Sequence, residues 1–124
     1  MIKLLFIMLI SHCFADTVFQ SDIMAKGKNR HRKIDLSRIP KGQKPLNLWG
    51  MWLTHHAIIH GGTLSIFLML FGFINYWWIG IIEAITHWII DFYKCENLYN
   101  PYIDQLLHLL MKLVYVGIIV RRLM

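Results

Sequence analysis

Histidine and aspartate recur in this chain at one fixed spacing. Four pairs are separated by four positions, and they are His12 with Asp16, His56 with His60, His87 with Asp91, and Asp104 with His108. In an α-helix this separation puts both side chains on one face, one turn apart. Imidazoles and carboxylates are ligands of zinc, iron and manganese, and paired ligands on facing helices are typical of metal sites in bundles. The spacing therefore predicts a site for a divalent transition metal, with zinc as the first candidate.

Two of these pairs belong to longer polar stripes. One stripe holds Glu83, His87, Asp91 and Lys94, and the other holds Asp104, His108, Lys112 and Tyr115. A carboxylate that is not needed as a ligand can serve as a general base, and Glu83 is the candidate for this catalytic role. One zinc ion takes four ligands, so eight candidate ligands require either two metal ions or a division between ligands and the residues that orient them.

Four apolar segments carry these residues. They cover about 2–24, 46–72, 76–94 and 101–121, and each is close to the roughly 20 residues that a helix needs to cross a bilayer. The chain has 124 residues, is 56% apolar and has a mean hydropathy of +0.47, which is high for a soluble domain. We therefore predict an all-α protein, an integral membrane bundle of three to four helices that forms a single membrane domain over residues 1–124.

A basic connector over residues 26–45 sets the predicted orientation. Eight of the thirteen lysines and arginines fall in it, and basic residues close to a membrane segment resist translocation. The connector should be cytoplasmic and the N-terminus outside. All four pairs then lie in the inner half of the bilayer. Because the positive charge is confined to this connector, we predict the lipid bilayer as a partner and no nucleic acid.

The first segment allows two interpretations. The stretch LISHCFADTVFQ could end a secretory signal peptide with Ala15 at the cleavage point, or it could be a retained helix that carries His12 and Asp16. A signal peptide would have to draw the basic connector across the membrane directly after itself. This disfavours cleavage. The fourth segment is also open, since its polar stripe permits a crossing helix or an in-plane interfacial helix.

Two other interpretations of the four pairs compete with a metal site. The pairs could form a structural network in which each polar side chain satisfies a neighbour across helices, or they could line a proton or ion path. Four other residues receive simpler predictions. His55 points about 100° away from His56 and should not share its face. Cys13 and Cys95 are not expected to form a disulfide, and Cys13 should be a buried, inert thiol. His31 in the basic connector should be solvated.

An ordered set of motifs resembles a known family. The motifs are HCFADTVFQSDIMAKGK, HHAIIH, HWIIDFYK and DQLLH, spread from about Ile10 to Val114. They resemble small uncharacterised integral-membrane proteins of bacteria and phages, grouped as domain of unknown function 3307, which implies a location in the bacterial inner membrane. The resemblance implies that the family pattern falls on His12, Asp16, Gln20, Met24, Lys26, His56, His60, His87, Asp91, Lys94, Asp104 and His108. The His-x-x-x-Asp spacing is also similar to that of predicted membrane-bound metal-dependent hydrolases, which implies an enzyme without naming its substrate.

Two functions are compatible with these features. In the first, the chain is a metal-dependent hydrolase in which a metal-bound water attacks an ester or phosphoester at the membrane face. In the alternative, it is a non-catalytic phage or bacterial membrane module that acts through contact with a host membrane protein, and its His/Asp network is structural. The two differ in whether loss of a metal ligand abolishes an activity or only loosens the packing.

Overall fold

All regular secondary structure is helical in the part that the computed structural model describes, which is residues 1–35, 37 and 39–124. The helices are α1 (Ile2–Thr17), α2 (Asp22–Gly27), α3 (Trp49–Leu70), α4 (Ile79–Cys95) and α5 (Pro101–Leu123), with a short 3-10 turn at Ile74–Tyr76. No strand is present in these ranges. Leu36 and Arg38, which belong to the predicted basic connector, lie outside the described residues. The fold class is therefore all-α.

The first apolar segment differs from its prediction as one helix over about 2–24. It is divided into α1 and α2, because α1 ends at Thr17 and α2 begins at Asp22. Ser21 causes a new start, since its hydroxyl oxygen accepts a hydrogen bond of 3.2 Å from the Met24 N–H, as an N-cap does. With 16 residues, α1 is about 24 Å long, which is shorter than the roughly 30 Å hydrocarbon core of a bilayer.

The other three helices begin and end within a few residues of the predicted segments. α3 stops at a turn in which Gly72 has a φ of 91°, and the Phe73 N–H bonds to the Leu68 carbonyl at 2.8 Å. This is the six-to-one bond of a Schellman motif, and its positive φ favours glycine. α5 begins where Asn100 caps the N–H groups of Tyr102 and Ile103, directly before Pro101. The local sequence therefore accounts for both helix ends.

Two helices, α3 and α5, are long and apolar enough to cross a membrane. They have 22 and 23 residues with mean hydropathies of 1.3 and 1.7, and so are about 33 and 35 Å long. Both leave large apolar side chains exposed, including Ile58 and Leu70 on α3 and Leu106 and Leu110 on α5. The length and composition of these two helices therefore support an association with a membrane.

α3 packs against α1 and α4, and α5 packs against α4 and α1. The contact between α3 and α4 is unusually close at Gly61 and Gly80. A Cβ atom added to Gly61 would lie 2.2 Å from the Gly80 carbonyl oxygen, and one added to Gly80 would lie 2.0 Å from the Ser65 hydroxyl. Small residues allow two helix backbones to approach in this way. The close crossing brings the polar faces of α3 and α4 together.

The interior of the bundle is divided into two ends. One end, called the apolar end here, is a cluster of buried side chains formed by Leu4, Met8, Leu64, Leu68, Ile79, Tyr115, Val116 and Ile119. The other end, called the polar cluster, is formed by His12, Asp16, Lys28, His56, His60, Glu83, His87, Asp91, Asp104, His108 and Lys112. The same four long helices, α1, α3, α4 and α5, contribute to both ends.

Candidate metal centre

All eight predicted metal ligands and Glu83 lie in the polar cluster. Each of the four long helices supplies one of the predicted pairs, and antiparallel packing brings the pairs to one level. Six of the eight ligands are buried, while the side chains of His12 and Asp16 remain 12% and 27% exposed. The cluster is therefore closed on three helices and open beside α1.

The imidazole rings form a stack at the centre of the cluster. His87 lies between two parallel rings, with its centroid 3.6 Å from that of His60 and 4.1 Å from that of His108. His12 faces the same group, 4.8 Å from the His60 centroid. His87 also lies with its Nε2 atom 3.2 Å from Nε2 of His56. Five histidine rings from four helices therefore meet in one small volume, with their nitrogens directed at different carboxylates.

Asp16 lies at the open side among three of these histidines. Its Oδ1 atom is 3.2 Å from Nε2 of His60 and 3.7 Å from Nε2 of His56, and its Oδ2 atom is 3.3 Å from Nε2 of His12. Zinc bonds of 2.0 to 2.1 Å in a tetrahedron separate neighbouring ligand atoms by about 3.3 Å. The spacing around Asp16 therefore fits a small divalent metal without a large rearrangement.

Asp91 occupies a different environment because a lysine reaches it. Lys28, which follows α2, pairs with Oδ2 of Asp91 and donates a hydrogen bond of 3.2 Å to the Gln20 side-chain oxygen. The carboxylate also contacts His56 at 3.4 Å and His108 at 3.5 Å. Sequence reasoning missed Lys28, since the family resemblance fell on Lys26 and Lys94, and Lys26 is exposed.

The packing of Gly27 explains why Lys28 points inward. A Cβ atom on Gly27 would lie 2.6 Å from the Trp52 ring, so α2 is pressed against α3 at this position. This contact places the next residue, Lys28, against the polar cluster, and its side chain is 9% exposed. A glycine between two lysines was the only signal of this contact in the sequence.

Two more lysines neutralise carboxylates of the cluster. Lys112 pairs with Glu83, and Lys94 pairs with Asp104 at 2.7 Å. Glu83 also lies 3.4 Å from Nδ1 of His87. Asp16 differs from the other three carboxylates, because its hydrogen-bond and ion-pair partners in the described part of the chain are all histidines. The negative charge without a lysine partner is thus concentrated at the open side.

Five buried imidazole nitrogens lack a hydrogen-bond partner among the described residues. They are both nitrogens of His12 and the Nδ1 atoms of His56, His60 and His87. An unpaired buried polar atom costs about 1 to 3 kcal/mol, so such atoms call for a bound water or another ligand. Three of these four histidines surround Asp16, and the fourth, His87, lies deeper in the cluster. The polar cluster as a whole therefore has room in its hydrogen bonding for a bound water or another ligand.

The comparison with known proteins gives one match. Residues 4–123 match a family described as "Protein of unknown function (DUF3307)". The chain belongs to this family. No curated protein and no solved structure matches the chain. The resemblance stated from the sequence motifs is confirmed, and the DUF3307 chain must be interpreted from its own geometry.

Outside the polar cluster, a second set of charged residues ties the basic connector of this DUF3307 chain to the end of α4. Arg30 pairs with Glu96 at 2.5 Å, and His31 lies 3.1 Å from the same carboxylate. Hydrogen bonding from Arg30 holds the pKa of the Glu96 carboxyl below its usual range. His31 is exposed as predicted, but it is not free of contacts.

The simpler predictions about His55 and the disulfide are confirmed, but the one about Cys13 is wrong. His55 is exposed and faces the Trp52 ring, whereas its neighbour His56 is buried in the polar cluster. Cys13 and Cys95 are both free thiols, but Cys13 is exposed because it lies on the outer face of α1, away from the stripe of His12 and Asp16. His55 therefore provides a natural control for His56, because the two have the same chemistry on adjacent positions of one helix.

Proposed function

We propose that this chain is a small integral membrane protein whose polar cluster binds a divalent transition metal, with zinc as the first candidate. Asp16, His56 and His60 are the proposed ligands. The observation that carries the proposal is the spacing of their donor atoms, in which Asp16 Oδ1 lies 3.2 and 3.7 Å from the two imidazole nitrogens. This spacing is close to that of neighbouring ligands in a tetrahedral site.

Exposure and charge both support a metal at this position rather than deeper in the cluster. The Asp16 side chain is 27% exposed, so an ion has a route to it, while Glu83 and Asp91 are 2% exposed. Glu83 and Asp91 also have lysine partners that would repel a cation. Three protein ligands with an open fourth position are typical of catalytic zinc sites, whereas structural zinc sites are closed.

The remaining polar side chains would support the ligands. His12 contacts the second oxygen of Asp16 through its Nε2 atom and would hold this carboxylate in place, which leaves the fourth metal position open. Hydrogen bonds of this kind orient ligating carboxylates. Asp91 lies 3.4 Å from Nε2 of His56, the nitrogen proposed as a ligand, and is therefore next to the metal position. Glu83 stays a prediction as a general base, but its contacts with Lys112 and His87 favour a role in holding the His87 ring.

The reaction class that fits such a site is hydrolysis of an ester or phosphoester. A bound divalent metal supplies a Lewis acid and a source of hydroxide at neutral pH. The polar cluster lies at the end of the helices from which the basic connector leaves, and we assign this end to the cytoplasmic side of a bacterial inner membrane, with the N-terminus outside. Substrates would therefore reach the site from the inner membrane face, and the bilayer is the proposed partner.

One observation favours a second candidate function. Lysines pair with three of the four carboxylates, so most of the charge in the cluster is balanced without a metal. A non-catalytic membrane module, in which the network only fixes the helices and the exposed faces contact a host membrane protein, would need such a balance. The metal is preferred because the donor atoms around Asp16 have the spacing of neighbouring ligands, and because Asp16 has no lysine partner among the described residues.

Metal analysis of two neighbouring histidine variants tests the proposal. Protein purified in detergent and dialysed against buffered zinc should hold about one metal ion per chain. His56→Asn should lower the metal affinity at least about tenfold, because it removes a ligand, whereas His55→Asn should leave it unchanged. Equal metal content in both variants, or no stoichiometric metal in the folded wild-type protein, would establish the packing network instead.

A further inference from the structure

A polar cavity lies directly beside the polar cluster, on the side of the basic connector. It has a volume of about 350 Å³ and is bounded by α2, the end of α4 and the start of α5. Its polar lining is formed by Gln20, Lys28, Asn29, Lys94, Asn97 and Tyr99. We call this cavity the lysine pocket. It is distinct from the proposed metal ligands, none of which lines it.

The lining of the lysine pocket is suited to an anion. Two ammonium groups and three side-chain amides line it, and none of the described lining residues is acidic. Lysine is a common phosphate ligand, acting as a mobile point charge, and amide N–H groups add hydrogen bonds to phosphate oxygens. A cationic cavity with this donor set matches a phosphate group better than a neutral ligand.

Both lysines of the pocket also touch the polar cluster. Lys28 pairs with Asp91, and Lys94 pairs with Asp104. These two carboxylates and His108 present ligand atoms within 4.8 Å of one another, so they form a possible metal-ligand group of their own. The lysines thus separate a pocket for an anion from carboxylates that could bind a cation. Each lysine ammonium group can pair fully either with its carboxylate or with an anion in the pocket, but not with both.

We propose that the lysine pocket binds the phosphate group of a phosphoester, and that Lys28 and Lys94 turn from Asp91 and Asp104 towards it. The two carboxylates would then be released to the metal side of the cluster. Phosphate and metal should therefore bind cooperatively, each raising the affinity for the other by the same factor. This inference rests on the proposed function and gives its substrate a chemical class, the phosphoesters.

The exposure of Lys94 supports this exchange. Its side chain is 29% exposed while its partner Asp104 is 1% exposed, so the ammonium group can turn to the pocket without opening the cluster. Lys28 already bonds to both neighbours of the pocket wall, because it donates hydrogen bonds to Gln20 in the pocket and to Asp91 in the polar cluster. Gln20 lines the pocket and offers its amide to the same ligand.

The phosphate could belong to a phospholipid headgroup or to a soluble phosphoester. The chemistry at the pocket is the same, and two probes distinguish the sources. One is glycerol 3-phosphate added to protein in phosphate-free maltoside micelles, and the other is phosphatidic acid incorporated into those micelles. A response to both indicates a general phosphoester site. A response to phosphatidic acid alone indicates that the acyl chains are also needed and that the ligand is a lipid.

The experiment measures zinc affinity in metal-buffered solutions with and without each probe. Wild-type protein should bind zinc at least about fivefold more tightly when the probe is present, which is the lower end of typical coupling between two sites. Lys94→Met should lose this increase. Lys26→Met, which changes an exposed lysine outside the pocket, should keep it. Because all variants share the same buffers, chelation of zinc by the probe affects them equally.

The possible failures are distinguishable. Zinc binding that is unaffected by both probes, or an increase that Lys94→Met retains, would overturn the coupling and leave the metal site standing. Phosphorus NMR of metal-free protein tests the pocket separately, and unbroadened probe signals would overturn the phosphate site. Probe binding to a protein that never binds zinc would overturn the proposed metal function and the coupling, while supporting the phosphate pocket.

Discussion

The centre of the polar cluster is as buried as the apolar end, but the two are built by different interactions. His87 and Asp91 are 1% exposed at one end, and Leu68 and Ile119 are fully buried at the other. Apolar side chains require only a well-filled volume. Buried charges and imidazoles require specific partners with the right geometry, and each loss leaves another group unsatisfied. The polar cluster should therefore be much less tolerant of substitution than the apolar end.

One sequence period produces both ends. Each long helix places four side chains on one face, at every fourth position. On α1 they are Leu4, Met8, His12 and Asp16, and on α3 they are His56, His60, Leu64 and Leu68. On α4 they are Ile79, Glu83, His87 and Asp91, and on α5 they are Asp104, His108, Lys112 and Val116. Each stripe changes from apolar to polar along its length. The bundle is thus a single core with two chemistries, and the polar half is aligned because neighbouring helices are antiparallel.

The largest expected effect comes from breaking the pair between Lys28 and Asp91. Asp91→Leu leaves the lysine buried without its counter-charge, and such a loss costs about 3 to 5 kcal/mol of unfolding free energy. The measurement is thermal unfolding of the purified protein in detergent. We expect a large fall in the melting temperature, even though leucine is well suited to an apolar interior.

The double variant Asp91→Leu with Lys28→Met is the control for this prediction. It removes both charges, and replacing a buried ion pair with apolar residues is often neutral. The double variant should therefore recover much of the stability that the single variant loses. If the double variant is as unstable as Asp91→Leu alone, the imidazoles around Asp91, rather than Lys28, are its essential partners.

The sequence predicted the fold class and the composition of the polar cluster because both depend on local periodicity. A spacing of four determines which residues share a helix face, and antiparallel connections determine which faces meet. It did not reveal the break between α1 and α2, since Ser21 lies within an apolar segment and its capping role depends on the turn before it. It also did not reveal Lys28, whose position depends on the packing of Gly27 against Trp52.

The second prediction concerns Gly61, which lies where the stripe on α3 changes from polar to apolar. Gly61→Ala forces a methyl group towards the Gly80 carbonyl and should separate α3 from α4. Overpacking of this kind costs about 1 to 3 kcal/mol. We expect a lower melting temperature and also weaker metal binding, because the proposed ligand His60 directly precedes Gly61 and would move with the backbone. This variant should therefore affect both ends of the bundle together.

Gly62→Ala is the matched control, since a Cβ atom at Gly62 would meet open space. Alanine also favours the helix by nearly 1 kcal/mol over glycine, so this variant should be as stable as the wild type or more stable. A stable Gly61→Ala protein, indistinguishable from Gly62→Ala, would show that α3 and α4 do not approach closely at this point.

The smallest expected effect lies at the apolar end, where Ile119→Val removes one buried methyl group. Ile119 is fully buried in the cluster with Leu68 and Tyr115, and the loss should cost about 0.5 to 1.5 kcal/mol. The exposed Ile103 on the same helix provides the control, and Ile103→Val should change the melting temperature little. Metal content should be unchanged in both variants, because neither side chain belongs to the polar cluster. If Ile119→Val lowers the metal affinity as strongly as His56→Asn, the two ends are mechanically coupled, and the metal site depends on precise packing of the whole bundle.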